Sequence, residues 1–392
     1  MYIGNIPEAG TFALAGAGVC GPVVTMIGSV AFWVGIGGSP LLSMSLGQGN
    51  AKRAKQILAN SFLLLAVASV LLMLLVYPFR EPMLRFFGAS DTTLPYADTY
   101  FSIYLSGTFF ALMATGMNQF IISQGFAKIG MYSVMLGAVL NIILDPVFIF
   151  LLNMGVAGAA LATILSQMAS CIFVLSFLFG KRAIVRITFG NYNMRLMGRI
   201  LVLGFTPFII IAMDNVMIIT MNSILQTYGG PQEGDMLITC ATIVQSFMLV
   251  ITMPLGGITG GTQTILAFNY GAGKNDRVKS AQKYIFLLGG IYTLILFILA
   301  RTSGSLFVRL FTSDAALAAE SVRLIRVYTL AVVPLSIQYE IVDGFTGLGM
   351  VHLSLPLSFF RKGVYFLALF ILPYLVEARS VFYAEPISDI IS

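Results

Sequence analysis

Apolar stretches of about 20 residues, the length at which a helix crosses the hydrocarbon core of a bilayer, recur in this sequence from near residue 11 to its end. No other feature restricts the fold so tightly. In lipid every backbone N–H and C=O must be satisfied within the protein, which leaves helix bundles and closed barrels. Barrel strands would be about 10 residues long with strict alternation. The stretches here are longer and continuously apolar, so they predict an all-α membrane protein. Charge agrees: 10% of the 392 residues are charged, against roughly 25% in a soluble domain. No polar segment is long enough to make a separate soluble domain.

Complete spans are expected over residues 11–46, 55–76, 96–123, 131–151, 155–179, 200–228, 236–268, 284–300, 322–347 and 353–374, and an eleventh begins near Val381 and stops short. The first is long enough to tilt or to be interrupted at the run GIGGSP, Gly35 to Pro40. Placed alternately on two sides, the connecting segments put Lys52, Arg53, Lys55, Lys128, Lys181, Arg182, Arg186, Arg195, Arg199, Lys274, Arg277, Lys279 and Lys283 on one side, with Arg361 and Lys362 in the half of the tenth span nearer to it. Those are fifteen of the 22 basic residues. By the positive-inside rule that side is cytoplasmic, which makes the chain a multi-pass protein of the cell's inner membrane whose first residues lie outside.

An internal repeat organises the spans, at a displacement of 224 residues, the distance from Gly47 to Gly271. Gly47, Gly49, Arg53 and Lys55 in GQGNAKRAK match Gly271, Gly273, Arg277 and Lys279 in GAGKNDRVK. The same register pairs Arg85 with Arg309, Phe87 with Phe311, Tyr104 with Tyr328 and Gly125 with Gly349. Both glycine-basic loops fall on the cytoplasmic side, so the repeats are expected to be parallel, related by an axis along the membrane normal. The span over 200–228 opens the second half, and its counterpart would lie almost wholly before Met1. Ala157 to Met168 aligns with Val381 to Ser392, so the plan is six plus six helices, expected to be shortened at both ends. Gly180 to Arg199, with Lys181, Arg182, Arg186, Arg195 and Arg199, reads as the linker between halves.

Several function classes are excluded on residues alone. The net charge of +6 sits in short clusters near span ends, and no basic patch is interleaved with exposed aromatics, so no nucleic-acid partner is expected. Cys20, Cys171 and Cys240 fall inside apolar spans at unrelated spacings and read as small core residues. Residues 1–10 lack the charged and apolar regions of a signal peptide. An enzyme embedded in the bilayer would need a nucleophile, base or metal set, and His352, the single histidine, supplies none of these from its loop. GQGNAKR and GAGKNDR lack the Lys and Ser/Thr of a phosphate loop.

Carboxylates inside a bilayer cost about 2.5 to 3.5 kcal/mol each on the insertion scale, so each one needs a reason. Asp145 closes the run NIILD before Pro146, with Asn141 one turn earlier on the same face. That is a hard-oxygen arrangement suited to Na+ or to a shuttled proton, and equally an Asp that caps the helix where Pro146 frees a backbone group. Asp214 lies mid-span beside Asn215, and no basic residue in that span can pair with it, so a cavity-facing site is expected. Glu340 and Asp343, three apart, share a helix face; one holds a proton, both hold a cation, or one faces water. The small residues of GVAGAALAT, Gly155 to Thr163, permit close helix packing.

Four segments carry a family resemblance: IGNIPEAGTFALAG at the start, GIGGSPLLSMSLGQGN, NIILDPVFIFLLNMGVAGAALATILSQ, and MPLGGITGGTQTILAFNYGAGKNDRVKSA. Through them the chain resembles the multidrug and toxic compound extrusion (MATE) transporters over essentially its whole length. The resemblance implies two six-helix lobes facing each other across a central cleft. Residues 1–190 would form the N-terminal lobe, with family helices 2 to 6, and residues 191–392 the C-terminal lobe, with helices 7 to 11 and the start of 12. It implies export of organic, often cationic compounds in exchange for Na+ or H+, by a monomer in the lipid bilayer with no cofactor. Asn141, Asp145 and Thr163 match three positions of the family's N-lobe cation site in type and spacing, and the fourth, an Asp ending the first family helix, would fall just before Met1. Asp214 resembles the acidic position of the seventh family helix. With Asn215, Glu340 and Asp343 it makes the candidate C-lobe cation or substrate site, and no metal beyond Na+ at Asp145 is implied. The rival readings are a flippase for lipid-linked sugars, for which Arg361 and Lys362 leave room, and an inactive shortened transporter.

Overall fold

The computed structural model describes residues 10–312 and 314–392, with the side chains of residues 10–12, 231, 232 and 235 set aside, so Ile3 to Ala9 of the opening motif lie outside the described residues. Among the described residues every regular element is a helix. In chain order these are α1 (Gly10–Gly47), α2 (Ala51–Val76), α3 (Arg80–Phe86), α4 (Leu94–Ser106), α5 (Thr108–Ile122), α6 (Ala127–Pro146) and α7 (Gly155–Phe179). They continue with α8 (Met194–Gly271), α9 (Asn275–Thr302), α10 (Gly304–Val308), α11 (Ala315–Tyr328), α12 (Val332–Gly347), α13 (Val351–Leu375) and α14 (Ala384–Ile391). α8 is two arms, Met194–Gly230 and Met236–Gly271, joined where Gly230 takes φ 68° and ψ −172°. Eight described helices, the two arms counted separately, are long and apolar enough to cross a bilayer, nine with the bent α4–α5 pair as one span.

Two expected spans are broken. Residues 96–123 divide at Gly107, where α4 and α5 meet at 56°, and residues 322–347 divide between Tyr328 and Val332. The two breaks are the same break, since 107 and 331 are equivalent in the repeat register. GIGGSP, by contrast, does not interrupt α1, which runs through it with Pro22 and Pro40 inside. Its glycines are contact points instead of a hinge. A Cβ on Gly35 would stand 3.0 Å from the Gly116 carbonyl of α5, and one on Gly38 would stand 2.6 Å from the Phe120 ring. Lipid tails are as apolar as leucine, so helices in a bilayer are held by close van der Waals contact and hydrogen bonds, and small residues allow that approach. GVAGAALAT works the same way: a Cβ on Gly158 would meet the Phe148 backbone at 2.7 Å, while Ala159, Ala160 and Ala162 are buried. The faces left outside are apolar, as in α9, where Leu287, Ile291, Leu294 and Ile298 follow at three- and four-residue spacing and are exposed.

The repeat is legible in the helix ends. α1 and α8 stop at Gly47 and Gly271, α2 and α9 start at Ala51 and Asn275, α5 and α12 at Thr108 and Val332, and α6 and α13 at Ala127 and Val351. Each of these pairs is separated by the same displacement. Past the first ends the chain turns on Gly49 and Gly273, with φ of 71° and 70°, and past the next on Gly125 and Gly349, with φ of 90° and 75°. Left-handed backbone of this kind is open to glycine at little cost and closes a helix with an αL cap. That requirement explains why the matched glycines stand where they do.

The chain forms two compact units, Met1–Ile211 and Ala212–Ser392. In the first, α1 packs on α2, α4 and α5, and α7 on α4, α5 and α6. The linker after α7 is tied down: buried Gln124 accepts the Val185 N–H at 2.7 Å, and Asn60, also buried, accepts the Asn193 N–H at 2.9 Å. The opening turns of α8 pack on α1 within this unit, where Trp33 donates to the Leu201 carbonyl at 2.7 Å and stacks on Phe208 with ring centroids 4.5 Å apart. In the second unit α9 packs on α12, and α13 on α12 and α14. Cys20, Cys171 and Cys240 are buried free thiols.

Candidate functional site

In the first unit the resemblance-derived residues meet. α6 carries Asn141 and Asp145 one turn apart on its last turns, and α7 carries Thr163 facing them. The Asn141 amide donates to Asp145 Oδ1 at 3.3 Å and reaches the Thr163 hydroxyl oxygen at 3.5 Å. The Thr163 hydroxyl in turn donates to the Ala159 carbonyl one turn back, at 3.0 Å. All three side chains are half-buried. Just past Asp145 the α-helix gives way to a π-turn over Val147–Leu151. Pro146 lacks the N–H that the α-ladder needs, and this local change of winding accompanies the carboxylate.

Asn141 and Thr163 also line a cavity of about 460 Å³ bounded by α5, α6 and α7, whose polar wall includes Asn118, Ser133 and Gln167. Gln167 Oε1 is buried without a hydrogen-bond partner. Carboxylate, amide and hydroxyl oxygens are the donors a hard monovalent cation takes. With the Asn141 NH2 turned to Asp145 and Thr163, as here, a proton fits at once, whereas Na+ requires the amide to turn its oxygen inward.

The second unit separates what the sequence grouped. Asp343 accepts a hydrogen bond from Thr259 on the second arm of α8. Glu340, 1% exposed, lies against Gly289 of α9 and has no partner on either oxygen. A cavity of about 540 Å³ between α9 and α12 is lined by Glu340, Gln282, Phe286 and Phe345, with Lys279 and Lys283. An ionised carboxylate unpartnered out of water is costly, so a proton or cation at Glu340 would relieve that cost.

Asp214 belongs to a different cluster, and the reason for expecting it unpaired fails. Its carboxylate is bonded by the ammonium of Lys362, which comes from α13 and so could not be found by inspecting the span of Asp214. Lys362 and its neighbour Arg361, counted with the cytoplasmic charges from their half of the tenth span, are buried. They are 4% and 6% exposed, mid-helix, and held by carboxylates because charges this buried need a partner. Arg361 donates from Nε to Asp389 Oδ1 at 2.7 Å and from Nη2 to Glu385, both on α14. Tyr328 adds a hydrogen bond to the other Glu385 oxygen at 3.3 Å. Glu385 and Asp389 escaped the sequence reading, yet their spacing of four in the last helix carried the signal. Asn215 stays beside Asp214 with a contact of its own. No group of three or more His, Cys, Asp or Glu side chains able to hold a metal occurs among the described residues.

Comparison with known proteins agrees with this architecture. The MatE family model matches residues 1–147 and 211–371. The multidrug export protein MepA of Staphylococcus aureus strain N315 is 25% identical over 300 residues, 76% of this chain and 65% of that protein. The protein of the same name from Staphylococcus saprophyticus is 24% identical over 310 residues, 78% of this chain and 67% of that one. The matched segment thus spans about two thirds of the length of these relatives. Among solved structures, a MATE protein in its bent conformation superposes with a TM-score of 0.92 at 23% identity, over all of this chain and 87% of that one. An outward-facing multidrug resistance MATE transporter of the MOP superfamily gives 0.91 at 23%, with the same coverage.

Proposed function

The chain belongs to the MatE family, and from that premise we propose that it exports small organic compounds, many of them cationic, across the cell's inner membrane in exchange for Na+ or H+. It is a multi-pass membrane protein of all-α fold. The proposal takes residues 1–190 and 191–392 as two lobes that alternate in access, working as a monomer in the bilayer without a cofactor. The coupling ion binds at Asp145, with Asn141 and Thr163 as its neighbours. The organic cation is met in the second half by Asp214 beside Asn215, with Glu340 and Asp343 as further acidic groups. The export activity that the name of the staphylococcal relatives states supports this reading.

The observation that carries it is the Asn141–Asp145–Thr163 cluster: three oxygen-bearing side chains on two helices, two of them opening onto a polar cavity. Coupling requires the ion to bind the two access states unequally, and can be no larger than that difference. The test is efflux of ethidium from cells expressing the chain, with and without an inward Na+ or H+ gradient. Asp145→Asn is expected to abolish gradient-dependent efflux while leaving ethidium binding to purified protein within about a factor of two. Gradient-driven efflux that survives in Asp145→Asn would sink the assignment of coupling to this carboxylate.

A sugar-lipid flippase would present buried cations to its anionic cargo. Here Arg361 and Lys362 are each bonded to carboxylates, which argues for the export of cations instead.

A further inference from the structure

Five ionisable side chains form a connected network in the second unit, and their charges do not balance. Asp214 on α8 binds Lys362, while Lys362's neighbour Arg361 on α13 binds both Glu385 and Asp389 on α14. Three carboxyl groups therefore face two permanent cations. Four of the five residues are deeply buried as whole residues: Arg361, Lys362, Glu385 and Asp389 are 4 to 6% exposed. The fifth is not, since the Asp214 side chain is 47% exposed while its lysine partner is 6% exposed. The other ionisable groups facing the network are the phenols of Tyr328 on α11, Tyr339 on α12 and Tyr365 on α13, and phenols are neutral at working pH.

With all five groups ionised the network carries one surplus negative charge, and an uncompensated buried charge costs several kcal/mol. One proton on the Glu385–Asp389 pair, where a single guanidinium serves two acceptors, removes it. A monovalent organic cation arriving from outside the cluster meets Asp214 first, because that is the only exposed member. To take the carboxylate it must displace the ammonium of Lys362, which is buried and needs another acceptor. The acid pair beside Arg361 is within the field of Lys362 already and has a negative charge to offer once its proton leaves.

We propose that Lys362 is a tethered counter-ion with two stations, Asp214 and the Glu385–Asp389 pair, and that one proton leaves the pair for water each time a monovalent organic cation takes Asp214. The balance closes. Before binding, three carboxylates are matched by two side-chain cations and a proton; after it, by two side-chain cations and the ligand. The network exchanges one proton for one cation and is neutral in both states. This deepens the reading of Asp214 as the organic-cation site and rests on it.

The experiment titrates the purified full chain in detergent with tetraphenylphosphonium at pH 6, in weakly buffered solution containing a pH indicator, and measures binding alongside proton release. Wild-type protein is expected to release about one proton per cation bound, with Kd falling about tenfold between pH 5 and pH 6, the slope a one-proton linkage requires. Lys362→Met is expected to bind the cation more tightly with no proton release. Asp389→Asn, which leaves the displaced lysine no surplus carboxylate, is expected to bind it more weakly, also with no release. Binding that Asp214→Asn leaves unchanged would overturn the site assignment and this inference with it. Binding that depends on Asp214 but comes without proton release in the wild type overturns the exchange alone, as does release that survives in either Lys362→Met or Asp389→Asn.

Discussion

Arg361→Met is the substitution whose consequence can be worked out most fully. Among the described residues the guanidinium is the only cation bonded to Glu385 and Asp389, whose side chains are 9% and 1% exposed. Its removal leaves Glu385 with the Tyr328 hydroxyl and Asp389 without its charged donor. Breaking a buried pair by deleting one partner costs about 3 to 5 kcal/mol, because the remaining charge is uncompensated. For a domain of roughly 200 residues that corresponds to about 6 to 20 °C in melting temperature. Thermal unfolding of the purified protein in detergent, followed by far-ultraviolet circular dichroism, reads the loss. Arg361→Met/Glu385→Gln/Asp389→Asn, which carries no charge at the site, is expected to regain most of the loss. Lys181→Met, at an exposed linker position, is expected to change stability by less than about 0.5 kcal/mol. An Arg361→Met protein as stable as the Lys181→Met control would refute the view that these charges hold α13 to α14.

Two further outcomes test the scaffold. Gln124→Leu strands the buried Val185 N–H, at about 1 to 3 kcal/mol, and hydrogen exchange should quicken across residues 181–187 and hardly at all in α2. Gly49→Ala and Gly273→Ala each force a side chain into left-handed backbone, at about 1 to 2 kcal/mol; matched costs in unfolding experiments are expected from equivalent turns, and a harmless change at one of them would argue against that equivalence.

What the sequence made legible was whatever one helix can encode by itself. Span positions follow from apolar length, and the glycines at 49, 125, 273 and 349 announce turns because no other residue accepts that backbone cheaply. Asn141 and Asp145 could be paired because they are a single turn apart on one helix. Thr163 came only through family resemblance, since its partners lie on another helix. A partner supplied from a distance leaves no trace in a single span. Asp214 looked uncompensated because its lysine is 148 residues away, and the acids that pair with Arg361 and offset its burial sit on another helix, α14. The breaks at Gly107 and between α11 and α12 were hidden for the opposite reason: hydropathy stays high across a break.

The repeat register shows that the two charged sites are not copies of each other. α6 and α13 are equivalent helices, as are α7 and α14, and in both halves this pair carries the polar chemistry. Yet Asn141 and Asp145 correspond to Tyr365 and Leu369, while Arg361 and Lys362 correspond to Gly137 and Ala138. Glu385 and Asp389 correspond to Leu161 and Leu165. Asp145, Arg361, Lys362, Glu385 and Asp389 each therefore correspond to a neutral residue in the other half. The same helix pair thus occurs twice, and the two sites carry their charges about one turn apart along equivalent helices. A carboxylate with only amide and hydroxyl neighbours can change its occupancy by a single ion. A network with its own built-in cations can change which cation it holds without changing its net charge. That difference suits the first site to sensing the driving ion and the second to exchanging it for a charged cargo, and it predicts that Asp145→Asn and Lys362→Met fail differently: the first in response to the gradient, the second in the proton count of binding.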